Sequence, residues 1–250
     1  MRVEIWADIA CPWCYIGKAR FEKGLAAFAH RDEVEVVHRS FELDPQAPAA
    51  GDVPVLEMLA SKYGVSREQA EAMESRVAEA AAGEGLGYRS DRIHGNTFDL
   101  HRLLHLAKAR GVQDALLGAL YRANFAEARP LGDADVLTAV AVEAGLDADG
   151  VRRVLADGDA YAEAVRADER EASELGARGV PFFVIDRRYG ISGGQPAEVF
   201  RQALEQAREE RAAAQAPVAD RDAGERDAGK DEVGEGCGDG VCMPGAGAGS

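Results

Sequence analysis

The sequence has few basic residues for its acidic content. Of its 250 residues, 29 are Lys or Arg and 44 are Asp or Glu, which gives a formal net charge of −15 at pH 7. Binding to nucleic acid requires clustered positive charge opposite the phosphates. A strongly acidic surface is likewise repelled by anionic membranes. We therefore expect neither nucleic acid nor a membrane to be a partner of this chain.

The sequence also lacks an apolar run long enough to span a bilayer. Near the N-terminus, Glu4 and Asp8 interrupt the region in which a secretory signal peptide would need an unbroken apolar stretch. These two absences predict a cytoplasmic protein. Apolar residues still make up 46% of the composition, which is enough for a sizeable folded core.

Cysteine is scarce, and its four copies fall into two close pairs. Cys11 and Cys14 form a C-x-x-C motif, and Cys237 and Cys242 form a C-x-x-x-x-C motif. Because the cytosol keeps thiols reduced, the pairs do not indicate a structural disulfide framework. Redox chemistry and metal binding are the alternatives. Four thiolates could hold a zinc ion, but the second pair is spaced more widely than a typical zinc knuckle. We favour redox chemistry and expect no metal.

Apolar periodicity predicts an α/β unit that opens and closes the folded region. Residues 3–7 alternate as in a strand, a helical pattern runs from Pro12 to about Ala29, and a second strand leads towards Phe41. This order is typical of a parallel βαβ opening. Strand patterns return at 181–186 and 189–192 as a β-hairpin, and Pro196 begins a final helix that continues to about Ala214.

The region between these ends has the composition of a helical subdomain. It is rich in Ala, Glu and Leu, it is divided by glycines, and no strand-like segment interrupts it from about Val55 to Gly176. Asp133 is a predicted helix N-cap, and another helix is predicted to start at Leu146-Asp147. Beyond Pro217 there is too little aliphatic bulk for a core. The predicted domains are 1–50 plus 177–214, an inserted helical subdomain at 51–176, and a flexible tail at 215–250 that carries the second cysteine pair.

Cys11 is placed to be a reactive nucleophile. It lies where the first strand gives way to a helix, with Pro12 at the favoured first helical position. The N–H groups of the first turn and the helix dipole stabilise a negative sulfur there. Cys14, one turn further along, is near enough to close a disulfide and should be less exposed. Cys11 would therefore exchange with the substrate, and Cys14 would resolve the mixed disulfide.

Four segments in the same order resemble DsbA-family thiol–disulfide oxidoreductases of the FrnE-like group. They are Asp8-Ile9-Ala10-Cys11-Pro12-Trp13-Cys14-Tyr15-Ile16-Gly17, Phe41-Glu42-Leu43-Asp44-Pro45, Asn96-Thr97-Phe98-Asp99-Leu100-His101-Arg102-Leu103, and Gly179-Val180-Pro181-Phe182-Phe183. The resemblance covers about residues 1–214. It implies an α/β, thioredoxin-like fold with a large inserted all-helical subdomain, and an enzyme that forms, reduces or isomerises protein disulfides. No organic cofactor is needed because the cysteines carry the electrons, with glutathione or another thiol as a possible electron partner.

The same resemblance makes Pro181 a candidate cis proline beside the cysteines. In that arrangement the backbone groups of Val180 are free to pair with a bound substrate strand. We therefore predict a substrate-binding surface formed by Pro12, Trp13, Val180 and Pro181, although an exposed Trp13 is equally compatible with packing.

Several other features keep two interpretations open. Cys237 and Cys242 are either inert thiols of a tail or a secondary redox pair that relays electrons to Cys11, a role that tethering would favour. His101 and His105 have the spacing of a metal-binding pair on a helix, but a structural role is favoured because no third ligand is apparent. Asn96 and Thr97 could cap that same helix.

Two other functional classes compete with the disulfide oxidoreductase. The first is a glutathione-dependent transferase or isomerase like the kappa-class and 2-hydroxychromene-2-carboxylate isomerase branch. In that branch a serine occupies the position of Cys11 and the second cysteine is absent, so this sequence departs from it twice. The second is a zinc-binding or holdase-like interaction protein. A cytoplasmic location favours a reductase or isomerase over an oxidase, while the sequence leaves the substrates and the oligomeric state open.

Overall fold

The computed structural model describes residues 1–48 and 51–215, of which residues 1–214 form one compact unit. Six short strands occur in these residues. They are β1 (Arg2–Ala7), β2 (Glu35–Ser40), β3 (Val53–Pro54), β4 (Ile93–His94), β5 (Phe182–Ile185) and β6 (Tyr189–Ser192).

Nine α-helices account for most of the described residues. They are α1 (Pro12–Ala27), α2 (Val55–Tyr63), α3 (Arg67–Gly83), α4 (Phe98–Ala109), α5 (Gln113–Tyr121), α6 (Ala134–Glu143), α7 (Ala148–Ala156), α8 (Ala162–Glu174) and α9 (Ala197–Gln215). A 3₁₀ turn at Arg31–Glu33 precedes β2, and a π-helical turn at Arg122–Ala126 directly follows α5.

The main sheet has the strand order β2-β1-β5-β6. β1 and β2 are parallel and are connected through α1, as the βαβ pattern predicts. β5 is antiparallel to β1, and β6 completes the predicted hairpin with β5. The helices α2 to α8 all fall between β2 and β5 in the chain. This arrangement agrees with the thioredoxin-like fold and helical insertion predicted from the sequence.

One face of the sheet packs against α1 and α9 through an aromatic core. The rings of Phe183 and Phe200 lie 4.5 Å apart, and Phe21 contacts both of them. α1 also approaches the neighbouring loops closely at Gly17. A Cβ there would lie 3.0 Å from Pro181 Cγ and 3.2 Å from Gly194 Cα, so only glycine fits without displacement of its neighbours.

The opposite face of the sheet packs against α8 through a mixed polar and apolar contact. Trp6 is fully buried, and its indole N–H donates to the Asp168 carbonyl oxygen at 2.8 Å. The Asp168 carboxylate accepts from the Ser40 N–H at 2.9 Å and from Arg39 at 2.9 Å. Arg39 also bonds to the buried carboxylate of Glu4. Asp168 therefore joins an inserted helix to the edge strand β2 through paired and satisfied charges.

The inserted helices form a second core that continues into the sheet unit. Leu103, Leu116 and Leu120 are fully buried in it, and Ala7 and Ile9 at the end of β1 belong to the same cluster. The Asp133 and Asp147 side chains accept backbone N–H bonds at the starts of α6 and α7, which confirms both predicted helix starts.

The insertion departs from the sequence expectation in one detail. β4 lies between α3 and α4 and pairs antiparallel with β3, whereas the sequence pattern predicts no strand between Val55 and Gly176. Each strand has only two residues, so neither produces an alternation that a sequence pattern could reveal. The proposed division at residues 50, 176 and 214 stays a prediction, and nearly all of the predicted tail lies outside the described residues.

Candidate active site

The two N-terminal cysteines lie on the first turn of α1. Cys11 is the N-cap residue with extended backbone geometry, and Pro12 occupies the first helical turn. The Cys11 N–H donates to the Asp8 carbonyl oxygen at 3.2 Å, and the Cys14 N–H donates to the Cys11 carbonyl oxygen at 3.1 Å. Both sulfurs therefore lie at the positive end of the helix dipole, where a thiolate is stabilised.

Both cysteines are more buried than the sequence analysis predicts. The exposed fraction is 5% for Cys11 and 2% for Cys14, so the expected accessible nucleophile is largely covered. Cys11 belongs to the core that the inserted helices form, and Tyr88 and Val180 pack against that core. In contrast, Pro12 is half-buried and Trp13 is 42% exposed. The Pro12-Trp13 dipeptide thus forms the outer surface of the motif.

The pKa values of the two thiols move in opposite directions. Hydrogen bonding with the Cys14 side chain lowers the pKa of Cys11, with help from the backbone N–H groups of Cys14 and Trp13 and against burial and the charge of Asp8. Burial raises the pKa of Cys14 well above its usual range, and its hydrogen bond to Cys11 raises that pKa further. These opposite shifts favour a Cys11 thiolate beside a protonated Cys14 thiol.

A buried carboxylate and a buried imidazole lie directly behind this pair. Asp8 is 1% exposed, and its oxygens accept from the N–H groups of Ala10 at 3.1 Å and Leu43 at 2.7 Å. His101 on α4 is fully buried, with Nε2 3.4 Å from Asp8 Oδ1. Burial alone would raise the pKa of Asp8, but His101 and the two backbone donors hold that pKa below its usual value.

The segment before β5 approaches Cys11 from the other side. The Cys11 thiol lies 3.6 Å from the Val180 carbonyl oxygen, to which it donates when protonated. The Val180–Pro181 peptide bond is cis, as the resemblance implies. The Pro181 carbonyl oxygen accepts from the Gly193 N–H at 2.8 Å, which ties this segment to the end of the β-hairpin.

An apolar surface surrounds the motif on the side of α2. A surface pocket of about 110 Å³ borders Pro12, Leu43, Met58 and Tyr63. Leu43 is 41% exposed and Tyr63 is 57% exposed, although both side chains are large and mostly apolar. Together with the half-buried Met58, these side chains form an apolar rim beside Pro12 of the motif. We refer to Leu43, Met58 and Tyr63 as the apolar rim.

The structure assigns separate surroundings to the two histidines of α4. His105 Nε2 lies 3.1 Å from Asp168 Oδ2, whereas His101 faces Asp8. Across residues 1–48 and 51–215, no three metal-binding side chains cluster. Asn96 acts at the start of α4, where its Oδ1 accepts from the Phe98 N–H at 2.8 Å. Thr97 occupies the N-cap position, but its side chain makes no capping bond in this part of the structure.

Two buried groups near the sulfurs were not identified from the sequence. Asp8 precedes Cys11 by three positions and begins the segment that resembles the family, but the sequence pattern gives it no role of its own. Tyr121 lies at the end of α5, and its hydroxyl reaches the Asp8 carbonyl oxygen from 113 positions along the chain. A buried charge beside a cysteine motif could have flagged Asp8, whereas no local pattern indicates Tyr121. Cys237 and Cys242 lie outside the described residues.

Comparison with known proteins supports this architecture across most of the chain. A probable DsbA oxidoreductase from Streptomyces coelicolor is 61% identical, with a TM-score of 0.81, and the match covers 98% of this chain and all of that one. The uncharacterized protein YwbO of Bacillus subtilis is 27% identical over 82% of this chain and 96% of its own length.

A more distant structure shares the fold alone. The cytosolic disulfide reductase DsbM from Pseudomonas aeruginosa, solved with GSH, is 20% identical with a TM-score of 0.58, over 84% of this chain and all of that one. The family description "DSBA-like thioredoxin domain" matches residues 2–205. These findings confirm the resemblance read from the sequence motifs at the level of the family. The chain belongs to the DSBA-like thioredoxin domain family of thiol–disulfide oxidoreductases.

Proposed function

We propose that the chain exchanges disulfides in protein substrates, with Cys11 as the nucleophile and Cys14 as the resolving thiol. The observation that carries the proposal is the asymmetry between the two sulfurs. Cys11 has a lowered pKa at the start of a helix, whereas Cys14 is buried and has a raised pKa. A thiolate beside a protonated resolving thiol is the arrangement that thiol–disulfide exchange requires.

The apolar rim supports a protein rather than a small polar molecule as the substrate. A cysteine in an unfolded or mobile segment is flanked by side chains that the rim can cover, which removes apolar area from water on both partners. The pocket beside Pro12 supplies a recess for one such side chain. We propose that Pro12 and Trp13 contact the substrate directly, because they form the outer surface of the motif.

Val180 and Pro181 are proposed to orient the substrate strand. Val180 contacts the nucleophilic sulfur through its carbonyl oxygen, so a segment that pairs with its backbone would be held beside Cys11. We further propose a reductase or isomerase in the cytoplasm, with glutathione or another thiol as the electron partner and no organic cofactor. A relay through Cys237 and Cys242 stays a prediction.

The test is a redox titration of the full chain in glutathione buffers, followed by alkylation and peptide mass analysis of all four cysteines. We expect reversible formation of a Cys11–Cys14 disulfide, together with thiol-dependent reduction of insulin. The proposal fails if Cys11 and Cys14 do not pair at any ratio of reduced to oxidised glutathione. Conjugation of glutathione to an electrophile without a need for Cys14 would instead favour the transferase alternative.

A further inference from the structure

Asp8 connects the turn that carries the nucleophile to the apolar rim. Its Oδ1 accepts from the Ala10 N–H at 3.1 Å, and its Oδ2 accepts from the Leu43 N–H at 2.7 Å. Its carbonyl oxygen accepts from the Cys11 N–H at 3.2 Å. Leu43 is part of the apolar rim, which borders Pro12. A single buried residue therefore fixes the backbone on both sides of the place where a substrate would meet Cys11.

The carboxylate of Asp8 has one positive partner in the described structure. Asp8 is 1% exposed, and burial of a charge without a partner is costly. Among residues 1–48 and 51–215, His101 is the only basic side chain that contacts it, with Nε2 3.4 Å from Oδ1. Glu42, the other carboxylate near His101, shares Arg166 of α8 with Glu169. The charge of Asp8 therefore depends on His101 for its balance.

The imidazole of His101 is bound by this electrostatic contact rather than by hydrogen bonds. It is fully buried, and neither ring nitrogen makes a well-formed hydrogen bond within the described residues. Buried polar atoms without a hydrogen bond are rare in folded proteins, and each needs an explanation. A bare Nε2 would turn its lone pair towards the carboxylate of Asp8, whereas an Nε2–H presents a positive hydrogen. The contact therefore favours the form of His101 with hydrogen on Nε2.

We propose that His101 is a positioning residue for disulfide exchange: it holds the Asp8 carboxylate between the Cys11 turn and Leu43, and it offsets the negative charge of that carboxylate near Cys11. The inference rests on the proposed function, because it concerns the same nucleophile, and it adds a residue of the inserted helices. His101 acts through Asp8 and takes no part in the bonds that form and break.

The two members of this pair should affect Cys11 in opposite directions. The charge of Asp8 raises the pKa of Cys11, so loss of that charge should favour the thiolate. Loss of His101 leaves the carboxylate with its two backbone donors but without its offset, so the thiolate should become less favourable. A merely structural role predicts the same direction for both changes, because loosening the turn from either side exposes the sulfur of Cys11.

The test measures the rate at which iodoacetamide alkylates reduced Cys11 as a function of pH, with peptide mass analysis to follow this cysteine alone. His101→Phe keeps most of the ring volume and removes both nitrogens. Its rate at pH 6 should fall roughly threefold, because the profile moves to higher pH. His101→Gln restores an N–H donor and should recover most of that loss. The matched control is His105→Gln on the same helix, where the histidine contacts Asp168, and it should match the wild type.

A second measurement separates position from charge. Exchange with a cysteine peptide that has apolar flanking residues should slow about tenfold in His101→Phe, because the peptide also meets the displaced Leu43. Iodoacetamide is too small to reach the rim and reports only on Cys11. Equal slowing of the two reactions would overturn the role of His101 in positioning Leu43.

The double variant Asp8→Asn/His101→Phe guards against a single variant that does not fold, since it buries no unpaired carboxylate. It should alkylate like Asp8→Asn alone, within about twofold, because no charge is left for His101 to offset. The inference is overturned if the double variant departs from Asp8→Asn, or if folded His101→Phe matches the wild type or shifts in the direction of Asp8→Asn. Titration of the wild type in glutathione buffers is read separately: absence of a Cys11–Cys14 disulfide counts against the proposed function, whereas the alkylation rates decide the role of His101 at Cys11 in either case.

Discussion

The sheet unit and the helical insertion contribute different things to the candidate site. The sheet unit supplies Cys11, Cys14 and Val180, which are the groups that would form or approach the covalent bonds. The insertion supplies His101 and Tyr121, which contact the Asp8 carboxylate and the Asp8 carbonyl oxygen, respectively. The difference indicates that the sheet unit supplies the sulfurs together with the charge and the hydrogen-bonding groups nearest to them, whereas the insertion supplies most of the core in which they are buried.

The strongest test of this division is to remove the nucleophile. We expect Cys11→Ser to lower insulin reduction by roughly a thousandfold or more, because a serine hydroxyl is not ionised at neutral pH. Cys14→Ser should retain the first exchange and accumulate the mixed disulfide, which mass analysis detects. Residual reduction by Cys11→Ser above a tenth of the wild-type rate would contradict the assignment.

The next test asks whether the insertion is a separate folding unit. Leu120 is fully buried in the core that also contains Ala7 and Ile9 of the sheet unit. We expect Leu120→Ala to lower the free energy of unfolding by about 2–5 kcal/mol. Tryptophan fluorescence and far-UV circular dichroism should change at the same urea concentration. The control is Leu43→Ala at a 41% exposed position, where the cost should stay below about 1 kcal/mol. Two separate transitions would show that the regions unfold independently.

The polar contact that Asp168 makes between the two regions can be tested by the pH dependence of the free energy of unfolding. Burial opposes its ionisation, but His105, the Ser40 N–H and Arg39 hold the pKa of Asp168 below its usual value. Because the pKa is lowered in the folded protein, ionised Asp168 stabilises the fold at pH values above the ordinary carboxyl pKa. This stabilisation is lost as the pH falls through the lower pKa that Asp168 has in the folded state. Between pH 6 and pH 2 the wild type should lose on the order of 1 kcal/mol more than Asp168→Asn in urea unfolding. Equal losses in both proteins would argue against this role.

The smallest expected effect concerns the charge of Asp8. Because that charge raises the pKa of Cys11, Asp8→Asn should shift the pH profile of iodoacetamide alkylation towards lower pH. The rate of alkylation at pH 6 should rise roughly a few-fold. Asp149→Asn removes an exposed carboxylate on α7 and serves as the control. An upward shift in Asp8→Asn would mean that its hydrogen bonds outweigh its charge.

The sequence predicts the framework of this fold better than the surroundings of the cysteines. Apolar patterns indicate β1, α1, β2 and the β5–β6 hairpin, because each of these elements contributes apolar side chains to the core beside the sheet. The two-residue pairing of Val53 and Pro54 with His94 and Ile93 has no such period. The burial of Cys11 is also invisible locally, since residues distant in the chain cover it.

The residues of the candidate site also differ in how far the sequence predicts them. Cys11, Cys14 and Pro181 belong to short motifs whose chemistry can be read from neighbouring residues. The contacts of His101 and Tyr121 with Asp8 depend on how the insertion folds back onto the segment before α1. Such contacts require knowledge of tertiary packing, which the order of residues on one helix does not provide.

The close approach at Gly17 bears on how the molecule behaves during turnover. Since α1 touches Pro181 and Gly194 with no room for even a methyl group between them, the helix cannot roll about its own axis without a collision. We therefore expect opening and closing of the disulfide to be accommodated by rotation of the cysteine side chains within the first turn. The backbone around the motif would stay fixed, and the substrate segment would be the partner that changes conformation.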